Sequence, residues 1–268
     1  MPIAQPHRVD EEGEQEASRL QRLDRIEPYE PPPAAMDAQP RQSRRFALRV
    51  YELNLPAGQV STNQQLWRRI DEQAIGVAEY DLLWTNGLRA GVAPNDELPG
   101  IAETLARQQA PLTNIIGGSE DRQVQQMVLG NPVGEQTIFW FDQAKQPVGE
   151  TFEDAQMMLN LAFEAAPGQR GAVRIAVRPI VQGTKDETRV FKSGDEYVVR
   201  QGRAVTPLDV EVLADVPLGS FLIVSPSPES KWSSSVGGVF FASDVSGEPL
   251  ERVLLVVPQR LEVQGADA

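Results

Sequence analysis

Apolar residues recur at every second position through the C-terminal part of the chain. Met157, Leu159, Leu161 and Phe163 alternate with Met158, Asn160, Ala162 and Glu164. Val173, Ile175 and Val177 alternate with Arg174, Ala176 and Arg178. A period of two sends one set to each face of a strand. Pro167-Gly168-Gln169-Arg170-Gly171 separates the two runs, so they read as a hairpin of long strands. The same reasoning predicts strands over 125–129, 137–142, 157–165, 172–181, 196–200, 208–213, 220–224, 238–242 and 252–257, with turns rich in Gly and Pro between them.

Upstream the period changes. Residues 46–53 alternate partially and read as a strand that ends at Pro56-Ala57-Gly58. Ser61 or Thr62 can cap a helix carrying Leu66, Trp67 and Ile70. Val77, Tyr80, Leu83 and Trp84 mark a second helix, which Asn86-Gly87 stops. Residues 88–92 form a short strand, and Leu98, Ile101, Ala102 and Leu105 a third helix. Trp67, Tyr80 and Trp84 sit at helical positions beside aliphatics, where core packing accounts for them better than a stacking platform. The order β-α-α-β-α predicts a small α+β module over 46–115. Gly117-Gly118-Ser119-Glu120-Asp121 marks a boundary, and a β-rich domain is expected over 120–262. The fold class is therefore α+β: a small α+β module followed by an all-β domain.

Residues 1–45 read as a disordered tail. Asp10-Glu11-Glu12-Gly13-Glu14 is acidic, and Pro28, Pro31, Pro32, Pro33 and Pro40 follow with few apolar side chains to bury. Leu20, Leu23 and Ile26 allow a short helix, either transient or a docking segment for a partner groove. Arg41, Arg44 and Arg45 form a small basic cluster, read as a solvated boundary.

Composition narrows the chemistry. Among 268 residues there is no cysteine and one histidine, His7. Disulfides, thiolate metal sites and His-based triads are excluded. Lys+Arg total 25 against Asp+Glu 38, a net charge of −13. An acidic surface repels nucleic-acid phosphates and anionic headgroups, so no nucleic-acid partner is expected. The apolar run Val253–Val257 is far short of a spanning helix, so membrane association is expected only through β-strands. Met1–Pro6 lack the basic and apolar regions of a signal peptide, which suggests a cytoplasmic protein.

Glycine pairs, carboxylates and serines are the candidate sites. Gly117-Gly118 and Gly237-Gly238 lack the spacing of a phosphate loop and read as turns or bulges. Glu150, Glu153 and Asp154, with Asp142 upstream, could hold a cation or set up an acid and a base, but the spacing is not that of a calcium loop and a solvated turn between two strands explains them better. Asp209 and Glu211 fit the wet face of a strand. Ser233-Ser234-Ser235, with Ser225 and Ser227 nearby, could act as nucleophiles only with Lys231 as base, in what reads as an exposed loop. No catalytic, cofactor-binding or metal-ligating residue is assigned, and no cofactor is expected.

The order of strands over about 150–260 resembles the β-domain of the secretin family, the ring-forming outer-membrane channels of bacterial secretion and pilus systems. The resemblance rests on several segments. The long hairpin 157–165 and 173–177 ends at Pro179. Leu208-Asp209-Val210-Glu211-Val212 and Pro217–Val224 follow. Gly238-Val239-Phe240-Phe241 comes next, and Arg252–Val257 ends in Pro258. It implies a non-enzymatic structural protein of the cell envelope that assembles through strand pairing. The alternative is a soluble β-sandwich that binds a protein partner through loops or tail. A hydrolase using Glu150, Glu153 or Asp154 is the third reading.

Overall fold

The structure is a computed structural model that describes residues 45–97, 112–115, 122–193, 196–230, 233–245 and 247–261. The tail, the helix expected around Leu98–Leu105, Gly117-Gly118, Lys231 and His7 lie outside these residues. In chain order the strands are β1 (Arg45–Pro56), β2 (Leu88–Pro94), β3 (Leu112–Ile115), β4 (Gln123–Val128), β5 (Val133–Phe141) and β6 (Pro147–Ala165). They continue with β7 (Ala172–Ser193), β8 (Glu196–Pro207), β9 (Val212–Pro217), β10 (Ser220–Pro226), β11 (Ala242–Val245) and β12 (Glu248–Leu261). Three short helices join them: α1 (Gln64–Trp67), α2 (Val77–Thr85) and α3 (Val236–Phe241). The described chain is mostly β-strand, in two antiparallel six-stranded sheets. None of its helices is long and apolar enough to cross a membrane.

The first sheet runs β2-β10-β12-β1-β3, with β11 also on β12. It draws strands from both sides of the boundary expected at Gly117–Asp121: β1 pairs with β12 from Arg45↔Leu261 to Pro56↔Leu250. Between β1 and β2 lie β10 and β12, so the 46–115 segment has no sheet of its own among the described residues. Residues 43–268 form one compact unit.

Sheet faces explain the sequence pattern. Leu48, Val50, Leu222, Val224, Leu254 and Val256 point into the main core, against Leu159, Leu161, Val173, Ile175 and Val177 of the second sheet. The opposite face of the first sheet is also covered. Phe221, Ile223, Val253, Leu255 and Val257 pack on Leu66, Trp67 and Ile70 from the α1 segment. A strand buried on both sides carries no polar alternation, which is why Val253–Val257 is apolar throughout.

The second sheet runs β4-β6-β7-β8, with β5 also on β6 and β9 also on β7. The predicted hairpin 157–181 is its centre, flanked by β4 on one side and β9 on the other. Beyond Ala155↔Gly183 the two long strands part: β6 continues with β5 alone, and β7 with β8 alone. Asp154 sits at the fork with φ 45°, and β7 slips register against β8 between Gln182 and Asp186. An ion pair from Lys185 to Asp154 ties the branches together.

Three local expectations are corrected. Residues 238–242, expected as a strand, lie mostly in α3, because the Ser235 hydroxyl accepts from Gly238 N at 3.1 Å and starts a helical turn. Gly237 is thus the second residue of a helix, neither turn nor bulge. The strand expected over 208–213 begins only at Val212; Leu208 and Val210 are both buried but lie outside any strand, Leu208 N making a single backbone bond to Pro179 O at 3.0 Å. The α1 cap is Asn63, whose Oδ1 accepts from Leu66 N at 3.1 Å; the Ser61 amide is held by Glu251 instead.

Candidate functional site

The site grows from the end of α2. Asn86 closes that helix and Gly87 follows at φ 77°, a left-handed turn that glycine enters without strain. The Asn86 side chain then clamps the end of β5. Its Nδ2 donates to Phe141 O at 3.0 Å, and its Oδ1 accepts from Phe141 N at 2.8 Å. Residues 227–230 and 233–238 dock on the same corner: Ser227 N donates to Gly87 O at 2.8 Å, and Gly237 N to Asn86 O at 2.9 Å. Packing there is so close that a Cβ on Gly237 would lie 1.9 Å from Gly87 O.

These three segments enclose a cleft of about 690 Å³, lined chiefly by Trp84, Phe139, Phe141, Pro147, Glu229 and Ser235. Phe139 is 54% exposed and Phe141 36%, unusual for large aromatic side chains. Phe139 lies over Gly149 across the hairpin, where a Cβ would come within 2.6 Å of its ring. Trp140, on the other side of β5, is buried, and its indole N–H has no acceptor among the described residues.

Trp84 is fixed from behind. Tyr80 stacks on it with centroids 6.1 Å apart. Arg89 lies 5.5 Å from its ring and 4.0 Å from that of Trp67. Arg89 donates to both Glu72 oxygens, at 2.7 and 2.9 Å, and the Tyr80 hydroxyl donates to Glu72 Oε1 at 2.6 Å. Burial pushes the Tyr80 phenol up to about 12, helped by the bond to the Glu72 carboxylate. The cleft wall therefore rests on a charged and aromatic stack, with Trp67 in the core as expected, Tyr80 partly buried against the main core, and Trp84 half-buried at the cleft.

The other candidates do not assemble. Glu150 and Glu153 are exposed along β6, Asp154 is taken by Lys185, and Asp142 accepts from Gln146 N at 2.8 Å in the hairpin turn. No three His, Asp or Glu residues among those described are placed to hold a metal ion. Asp209 is exposed, and Glu211 pairs with Arg178 at 3.0 Å. Ser225 and Ser227 are buried and spent on local bonds, to Pro226 O and from Glu229 N; Ser235 caps α3.

Sequence reasoning passed over Asn86's clamp, Phe139, Phe141 and Gly149. One signal was present: Phe139-Trp140-Phe141 is aromatic on both faces of a strand, so at least one aromatic face needed a cover beyond the sheet's own core. No family model, curated protein or solved structure matches this chain.

Proposed function

We propose that this chain is a non-enzymatic binding protein whose aromatic cleft receives a segment of a protein partner. The observation that carries the reading is the pair of exposed phenylalanines beside the braced Trp84, in a concave, mostly apolar site of ligand-binding size. Aromatic side chains held rigid lose little entropy on contact, the usual basis of a binding hot spot. Among the described residues, the scattered carboxylates and spent serines offer no acid, base or nucleophile in the cleft beyond Glu229. In this reading the fold is a β-sandwich with a helical connection over 57–87, which holds the cleft wall, and not an α+β module followed by a separate domain.

The test is selection of random peptides on the full chain. Peptides that share an apolar anchor and lose binding to a Phe139→Ala, Phe141→Ala variant support it. Enrichment unaffected by that variant defeats it. One observation favours a second reading, secretin-like self-assembly: past the fork, β7 and β8 form a two-stranded ribbon with no third strand among the described residues. Unpaired ribbon edges recruit strands from other copies. Light scattering distinguishes the two, since a monomer at all concentrations leaves only the binding reading.

A further inference from the structure

The surface that leads into the cleft carries an unusual charge arrangement. Residues 135, 137, 139 and 141 share one face of β5, and their partners on β6 are Glu153, Thr151, Gly149 and Pro147. The face thus grades from carboxylates to aromatics. Glu135 stands directly opposite Glu153, and both are exposed. Like charges opposite one another destabilise a sheet. Neither forms an ion pair among the described residues. Lys185, whose pKa Glu153 helps to raise, is bonded to Asp154. The next step is the Thr137–Thr151 pair, with hydroxyls 2.9 Å apart, and then Phe139 at the cleft. A further carboxylate, Glu229, lines the cleft itself.

We infer that the partner of this surface is an extended, basic peptide segment, with an apolar anchor in the cleft and a Lys or Arg four residues away over Glu135 and Glu153. Four residues of extended chain span about 13 Å, the length of β5 from Phe139 to Glu135. A cation between the two carboxylates relieves their repulsion, so the charge pair is more favourable in the complex than in the free protein. The backbone of the segment has an edge to follow only beyond the cleft: at Phe139 the edge is taken, since Phe139 N donates to Ser234 O, whereas from Val133 to Thr137 no strand pairs with β5 on this side among the described residues.

The inference rests on the cleft-binding reading, and the experiment separates the two. Three labelled peptides share one Trp anchor and carry Lys, Gln or Glu four residues from it. A fourth places Lys beside the anchor. Fluorescence anisotropy with the full chain should rank Lys over Gln over Glu, with about a fivefold gain from Gln to Lys that shrinks in high salt. The misplaced Lys should show no gain. The double variant Glu135→Lys, Glu153→Lys should reverse the ranking, and Glu135→Gln, Glu153→Gln should flatten it. Equal binding of Lys, Gln and Glu peptides overturns the charge inference and leaves the cleft reading standing. Failure of all four to bind overturns both.

Discussion

Single residues hold the unusual parts of this molecule. Glu251, on β12, is buried, and its carboxylate accepts from the Gly58, Val60 and Ser61 amides. Those amides sit in an irregular loop that no strand could satisfy, so the side chain substitutes for a ladder. Glu251→Ala strands several donors, and a loss of about 3 kcal/mol is expected by denaturant titration. Arg252 does a similar job on the other face, donating to Glu52, Phe240 O and Leu129 O at 2.8, 2.7 and 2.6 Å. Gly237→Ala brings a Cβ onto the Gly87 carbonyl, backbone against backbone, and should destabilise by about 3 kcal/mol. None of this was legible in the sequence. Glu251-Arg252 reads there as the polar start of a strand, because the partners lie far away along the chain. Tyr80 gives a pH test. Its folded pKa of about 12 exceeds the unfolded value near 10, so the folded state holds the proton longer. The stabilising contribution is present below pH 10 and is lost as pH rises through about 12. Ultraviolet titration should show a late tyrosinate step that is absent in Tyr80→Phe; the same titration curve in that variant, less one ordinary step, would refute the buried bond to Glu72.

At the level of elements, the β5–β6 hairpin sets the site. The pattern at 157–165 and 172–181 was readable because both strands alternate against one core, and their pairing follows it residue for residue. The helix α3 was not readable. Val236–Phe241 is apolar on every side, and neither period wins in so short a run. Its helical form follows from a distant contact, the Gly237–Gly87 approach, and from the Ser235 cap. Strand β9 was misplaced for a related reason: burial alternates through Leu208 and Val210 before pairing begins. The hairpin yields its own prediction. Gly149→Val puts methyl groups where the Phe139 ring rests. Because that ring is half in solvent, it can swing away, so stability should change by less than about 1 kcal/mol. Peptide binding should nevertheless fall sharply in the anisotropy assay. Retained binding would mean that Phe139 does not shape the cleft.

For the molecule as a whole, topology decides what folds together. The strand order of the first sheet joins Glu52 to Arg252 across 200 residues of chain. Such pairings form late and slowly, since a long loop must close first. The sequence offered no sign of this. Glycines and acids at 117–121 look like a linker, and composition carries no record of which strands will meet. The account predicts that a fragment of residues 43–120 is unfolded by circular dichroism, because β1 and β2 are each left without their neighbours β12 and β10. A folded fragment would restore the two-module organisation. The central claim, that the Trp84–Phe139–Phe141 cleft receives a protein segment, is tested most directly by indole N–H resonances. On titration with the Lys-bearing peptide, the Trp84 signal should move while that of Trp67, which donates to Val60 O in the second core, stays in place. Shifts confined to Trp67, or none at saturating peptide, would contradict it.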